Sequence, residues 1–195
     1  LKHNMSIRDQ KLIYHLTSIQ NFESILQSGL LPRNQLDSFI DVADAEIIEF
    51  REANSITDYV PFHFFSKNPF DGRVQRDRPD EEFIYITLKR SYAKDNGFLI
   101  IPQHPISMEE FSMYSYEEGF DVIDWETMDV RDYHNTLCKN ICMAECVSPS
   151  LIDSSDFHCI FVKNADQKKI ITDLSSKYYD KIPYMVTVNS NMFLG

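Results

Sequence analysis

The side chains able to do chemistry are scattered along this 195-residue chain. Glu145 stands in MAECVSP (143–149), an acid among Met143, Ala144, Cys146 and Val147. Burying an unpaired carboxylate is costly, so a strand carrying one turns it to solvent or aims it into a cleft at the strand end. Period-2 alternation sets Ala144, Cys146 and Cys142 toward a core, and Met143, Glu145 and Val147 the other way. His15 ends a strand-like run ahead of a helix start, as a satisfied partly buried imidazole or as a hydrogen-bonding group for a ligand. Arg51 closes a helical pattern, where a guanidinium forks onto phosphate or answers the negative end of the helix dipole. Lys67, Arg73, Arg76 and Arg78 crowd SKNPFDGRVQRDRP (66–79) against Asp71 and Asp77. That segment is suited to nucleic-acid phosphates, or is a solvated loop of mixed charge.

Other chemistries fit less well. His134, Cys138, Cys142 and Cys146 recur at intervals of four, but on a helix the outer two would lie about 18 Å apart. Zinc bonds of about 2.0–2.3 Å exclude that full set around one ion, and no other zinc spacing is present. No metal is expected. GxxxxGK[ST] and GxGxxG are both missing, so nucleotide binding through those loops is excluded. A net charge of −11 argues against a broad polyanion-binding surface but not against a local basic groove. Four cysteines with no preceding apolar signal segment suggest a reducing, cytoplasmic setting, and no apolar run approaches membrane-spanning length.

These residues must be positioned by ordinary elements. Leu12–Leu16 reads as a strand, and Ser18 as the N-cap of a short helix that Gly29 stops. Val42, Ala45, Ile47 and Ile48 give a second helical pattern with Arg51 near its end. Tyr59–Phe65 is an aromatic strand with Pro61 at an edge or bulge. Residues 66–79 read as a loop, and strands at 82–88 and 98–101 are separated by a turn at 94–97. The acid-rich stretch 109–132 reads as a solvated face or loop. Strands at 142–147 and 158–163, a helix from Asn164 and a strand at 183–189 complete the pattern. One α+β domain spanning 1–195 is expected.

Three stretches resemble the DarT family of ADP-ribosyltransferase toxins. They are YHLTSIQNFESILQSGLLPRN (14–34), Arg51 ahead of DYVPFHF (58–64), and MAECVSP. The resemblance implies an ADP-ribosyltransferase-like fold, central mixed β-sheets with flanking helices. It implies a NAD-dependent mono-ADP-ribosyltransferase that modifies a nucleobase in single-stranded DNA, acting as a toxin beside a macrodomain antitoxin. By position, the resemblance makes Glu145 and Arg51 catalytic, and His15, Thr17, Asn21, Gly29, Leu30, Asn34, Arg51 and Tyr59 NAD-binding. Lys67, Arg73, Arg76, Arg78 and Lys139 are the candidate DNA contacts. Cleaving the nicotinamide–ribose bond builds positive charge on the ribose, as in glycoside cleavage, and a fixed carboxylate answers that charge. Glu145 is also placed to accept the proton of the incoming nucleophile. RNA or protein acceptors, and a catalytically idle NAD-like binding module, stay open at this level.

Overall fold

The computed structural model of the chain describes residues 5–36 and 45–195. The chain runs β1 (Leu12–Ser18), α1 (Phe22–Ser28), α2 (Ala45–Ala53), β2 (Val60–His63), α3 (Pro69–Asp77), β3 (Phe83–Lys89), α4 (Arg90–Asp95) and β4 (Leu99–Ile101). It continues with β5 (Tyr114–Ser115), α5 (Tyr116–Val122), α6 (Trp125–Val130), α7 (Thr136–Ile141), β6 (Glu145–Ser148), β7 (Cys159–Val162), α8 (Ala165–Ser175) and β8 (Met185–Val188). Val42, read above as part of the second helix, lies outside the described residues.

The eight strands form one mixed sheet in the order β5-β4-β6-β2-β1-β3-β7-β8. Among the described residues, only β7 and β8 run parallel. The sheet has a seam. β1 pairs with β3 along its whole length, from Leu12↔Lys89 to Ser18↔Phe83, whereas β1 meets β2 at the single pair Tyr14↔His63. Two half-sheets, β5-β4-β6-β2 and β1-β3-β7-β8, therefore part on either side of that pair.

Local chemistry sets the element ends. Ser18 Oγ accepts from Gln20 N, and Gly29 closes α1 at φ 81°, a left-handed turn that glycine adopts without strain. A Cβ at Gly29 would lie 2.9 Å from the Ile152 carbonyl oxygen. That closeness lets Leu30 N donate to Ile152 O at 2.8 Å and Ile152 N to Leu30 O at 3.0 Å.

Three expectations are corrected. Residues 69–77 form a helix, because Asn68 caps it by accepting from Asp71 N at 3.0 Å and Pro69 supplies the favoured first position. Asn-Pro and Asp-Gly read as turn punctuation when that cap goes unrecognised. Of the turn expected at 94–97, the first half belongs to α4 and only 96–97 turn. The acid-rich stretch folds as α5 and α6, burying Tyr116, Trp125 and Met128. Its acids stay outside; the widely spaced apolar residues direct the packing.

Buried Arg90 staples the seam. Its Nε donates to Leu12 O at 3.0 Å, Nη1 to Arg8 O at 3.0 Å and Nη2 to Phe64 O at 3.1 Å. The guanidinium also lies 5.1 Å from the Phe64 ring centroid and 5.6 Å from that of Trp125. Satisfied donors and aromatic faces let the charge stay buried without a carboxylate.

Candidate active site at the sheet seam

Residues directly opposite one another in a sheet share a face. The ladder therefore puts Tyr14, His63, Glu145 and Ile101 in one row, through Tyr14↔His63, His63↔Glu145 and Ile101↔Glu145. Arg51 reaches this row from α2 and ion-pairs with Glu145 Oε1. Glu145 is 4% exposed. Its Oε2 is buried and has no hydrogen-bond partner among the described residues. Arg51, Glu145 and His63 line a cleft of ≈ 300 Å³ together with Phe50, Phe70, His104 and Met143.

A buried carboxylate with one oxygen ion-paired and the other without a partner among the described residues can answer a positive charge brought into the cleft. Low polarity around it strengthens any charge it faces. The strand parity expected from the sequence holds, with Ala144 and Cys146 in the main core. Of the two settings open to Glu145, solvent or a cleft, the structure gives the cleft, because α2 and the segment after β4 cover the second face of the sheet.

His15 lies on the other face. Its Nδ1 donates to Pro61 O across the seam at 2.7 Å, and its ring packs 5.6 Å from that of Phe62. Burial, chiefly, pushes its pKa down to about 4, so the imidazole is neutral near pH 7. Thr17, two residues on and on the same face, accepts from Asn21 Nδ2 at 3.2 Å.

This half-buried imidazole has a consequence for stability. Between about pH 4 and the ordinary value of 6.5, the unfolded chain binds a proton at His15 that the folded chain refuses. Stability contributed by His15 is therefore present above that window and lost as pH falls through it, by about 3 kcal/mol in full. Urea midpoints measured from pH 7 to pH 4 are expected to fall less steeply for His15→Asn than for the wild type.

The structure gathers only part of the expected set. Gly29 and Leu30 tie α1 to the chain after β6, and Leu30 is core. Asn34 is exposed and donates to Asp58 Oδ1 at 2.6 Å. Tyr59 packs with Ile56, Ile101 and Val147 and is not among the residues lining the cleft. Lys67, Arg73, Arg76 and Lys139 are exposed, and Arg78 is half-buried. Arg73 pairs with Asp77 at 3.5 Å. Helix α3 carries Phe70 into the cleft and holds three of the arginines along its remaining length and end. All four cysteines are buried; burial pushes the Cys142 thiol up to about 12 and that of Cys146 further, which suits packing and not nucleophilic attack.

The sequence reading missed several neighbours. His63 and His104 line the cleft, and Arg33 has its pKa lowered by burial and then by the charge of Arg51. Asp71 is buried close by, accepting from Asn68 Nδ2 at 2.7 Å and from Tyr85 Oη at 3.0 Å. Burial raises its pKa, against the opposing charge of His63. His63 was legible as part of an aromatic strand, but its pairing with Glu145 spans 82 positions and leaves no local signal.

The profile of a family described as DarT, ssDNA thymidine ADP-ribosyltransferase, matches residues 14–194. Thermus sp. 2.9 DarT in complex with ADP-ribosylated ssDNA superposes with a TM-score of 0.80 at 17% identity, over 94% of this chain and 96% of that one. The same protein in complex with NAD+ gives 0.74 at 15% identity, over 95% and 98%. Thermosipho africanus DarTG in complex with ADP-ribose gives 0.73 at 20% identity, over 94% of this chain and 51% of that one. This chain thus spans about half the length of that relative. No curated protein sequence matches it. Among the described residues, no helix is long and apolar enough to cross a membrane.

Proposed function

The chain belongs to the DarT family of single-stranded-DNA thymidine ADP-ribosyltransferases, and from that membership we propose how its own residues divide the transfer of ADP-ribose from NAD+ to thymidine. The observation that carries this reading is the Glu145 carboxylate, buried in the cleft with Arg51 on Oε1 and, among the described residues, no hydrogen-bond partner on Oε2. Glu145 faces the ribose as its bond to nicotinamide breaks and positive charge develops there. Arg51 holds that carboxylate in one geometry, so little reorganisation accompanies the charge.

NAD+ lies across the seam in this reading. Neutral His15, with Thr17 and Asn21 on the same side, hydrogen-bonds the ribose hydroxyls, and Arg33 adds a cation for the diphosphate. Phe50 and Phe70 give the nicotinamide and the incoming base apolar walls. No metal enters the reading. A macrodomain antitoxin that removes the mark is the proposed partner, on the family resemblance.

The test is a comparison of acceptors. The protein is incubated with labelled NAD+ and, separately, thymidine-containing single-stranded DNA, duplex DNA, RNA and a protein lysate. Label is expected in the single strand; label confined to protein or RNA would remove the DNA assignment.

Lys67, Arg73, Arg76, Arg78 and Lys139 are proposed to track the DNA backbone. Affinity for a thymidine oligonucleotide is then expected to fall steeply with salt. Replacing exposed Arg76 by glutamine reduces the log–log slope by about 0.7, the single-strand value for one phosphate, and leaves NAD+ affinity unchanged. A flat salt response in fluorescence anisotropy would discard the basic helix as the DNA contact.

A further inference from the structure

His63 occupies a position that neither the family reading nor the sequence reading uses. It ends β2 at the one ladder pair joining the half-sheets, opposite Tyr14 on one side and Glu145 on the other. The ring is 7% exposed and lines the cleft with Glu145 and Arg51. Phe70 packs against it with centroids 5.6 Å apart and planes inclined at 33°.

One ring nitrogen is assigned by its partner. Nδ1 lies 3.2 Å from Ala144 O, and a carbonyl oxygen only accepts, so Nδ1 carries the proton. In the neutral ring the lone pair is then on Nε2, which has no hydrogen-bond partner among the described residues. The Ala144 carbonyl belongs to the residue before Glu145. The same contact that fixes the tautomer therefore registers the imidazole against the carboxylate.

The transfer releases a proton that needs an acceptor. In thymidine, N1 is bonded to the sugar, so N3 is the ring nitrogen that carries a proton. As the bond from the ribose anomeric carbon to nicotinamide breaks, its electron pair leaves with neutral nicotinamide. The N3 electron pair forms the new bond to that carbon, and the N3 proton must go to a base. Glu145 has Oε1 committed to Arg51, which leaves Oε2, without a hydrogen-bond partner among the described residues, to answer the ribose charge.

We propose that His63 is the proton acceptor of this reaction: Nε2 takes the N3 proton as the new bond forms, becoming imidazolium beside Glu145. The inference rests on the transfer to thymidine proposed above. Charged and titratable groups near His63 come from every packed element: Glu145 from β6, Arg51 from α2, Asp71 from α3, Tyr14 from β1 with His15 on the sheet's other face, and His104 after β4.

The experiment compares wild type, His63→Phe and His63→Gln in single-turnover transfer to a thymidine oligonucleotide across pH, with NAD+ affinity measured in parallel. His63→Gln retains an amide donor for Ala144 O, and circular dichroism checks the fold of both variants. Wild-type rates are expected to fall on the acidic side. Both variants are expected to be slower by about 10²-fold at neutral pH, to keep NAD+ affinity within about threefold, and to lose that acidic limb. Rates within threefold of wild type in both variants would overturn the assignment. So would slower variants that keep the limb, since His63 would then merely brace Ala144 while another group took the proton. Wild type that labels no single-stranded DNA at all overturns the family reading and this proposal together, an outcome distinct from active wild type with unaffected variants.

Discussion

Glu145→Gln is expected to lower transfer to single-stranded DNA by about 10³-fold while the fold and NAD+ affinity persist. The substitution is nearly isosteric, and the amide oxygen still accepts from Arg51. What disappears is the negative charge on a group 4% exposed, in surroundings where water cannot replace it. The loss therefore falls on the step in which ribose becomes positive, and kcat drops while the NAD+ dissociation constant stays. Labelled transfer, isothermal titration with NAD+ and circular dichroism together check this. Transfer within tenfold of wild type would remove Glu145 from the chemistry.

Arg51→Met carries the second large effect, and it acts on stability as well as rate. The pair is buried on both sides, with side chains 12% and 5% exposed for Arg51 and Glu145. Removing the guanidinium leaves a buried carboxylate with no partner among the described residues on either oxygen, a loss of about 3–5 kcal/mol. Arg51→Met with Glu145→Gln removes both charges, and the double variant is expected to be more stable than Arg51→Met alone. Denaturant midpoints of the wild type, both single variants and the double variant close the cycle. A double variant as unstable as Arg51→Met would show that packing of the arginine stem, and not the stranded charge, sets the cost. Arg51→Lys is expected to keep most of the stability and little of the transfer, because an ammonium cannot hold the carboxylate in the orientation that a planar guanidinium does.

Much of the frame is legible in short windows. Ser18 and Gly29 bracket the first helical turn and α1 as expected, and Asn164 caps α8 by accepting from Gln167 N at 2.9 Å, because caps are made by residues two to four apart. Strand parity around Glu145 also reads correctly. Capping failed at Asn68, where a proline and an Asp-Gly pair disguise a helix start as a turn. It failed again at 109–132, where many surface acids outvote the few buried aromatics in any compositional reading. The resemblance set Tyr59 at the cofactor, and the cluster it joins includes residues 42 and 88 positions away.

Residue types, alternation and the order of three motifs pointed by themselves to an α+β chain of the DarT kind, with Glu145 and Arg51 expected to take part in its chemistry. Only the tertiary structure decided that Glu145 is buried, that Arg51 occupies one of its oxygens, that His15 sits across the sheet from it, and that His63 stands beside it at the seam. The physical reason is that sequence periodicity reports which way a side chain points from its own strand. What covers that face, and which charge answers it, depends on strand register and on helices folded back from 94 positions away.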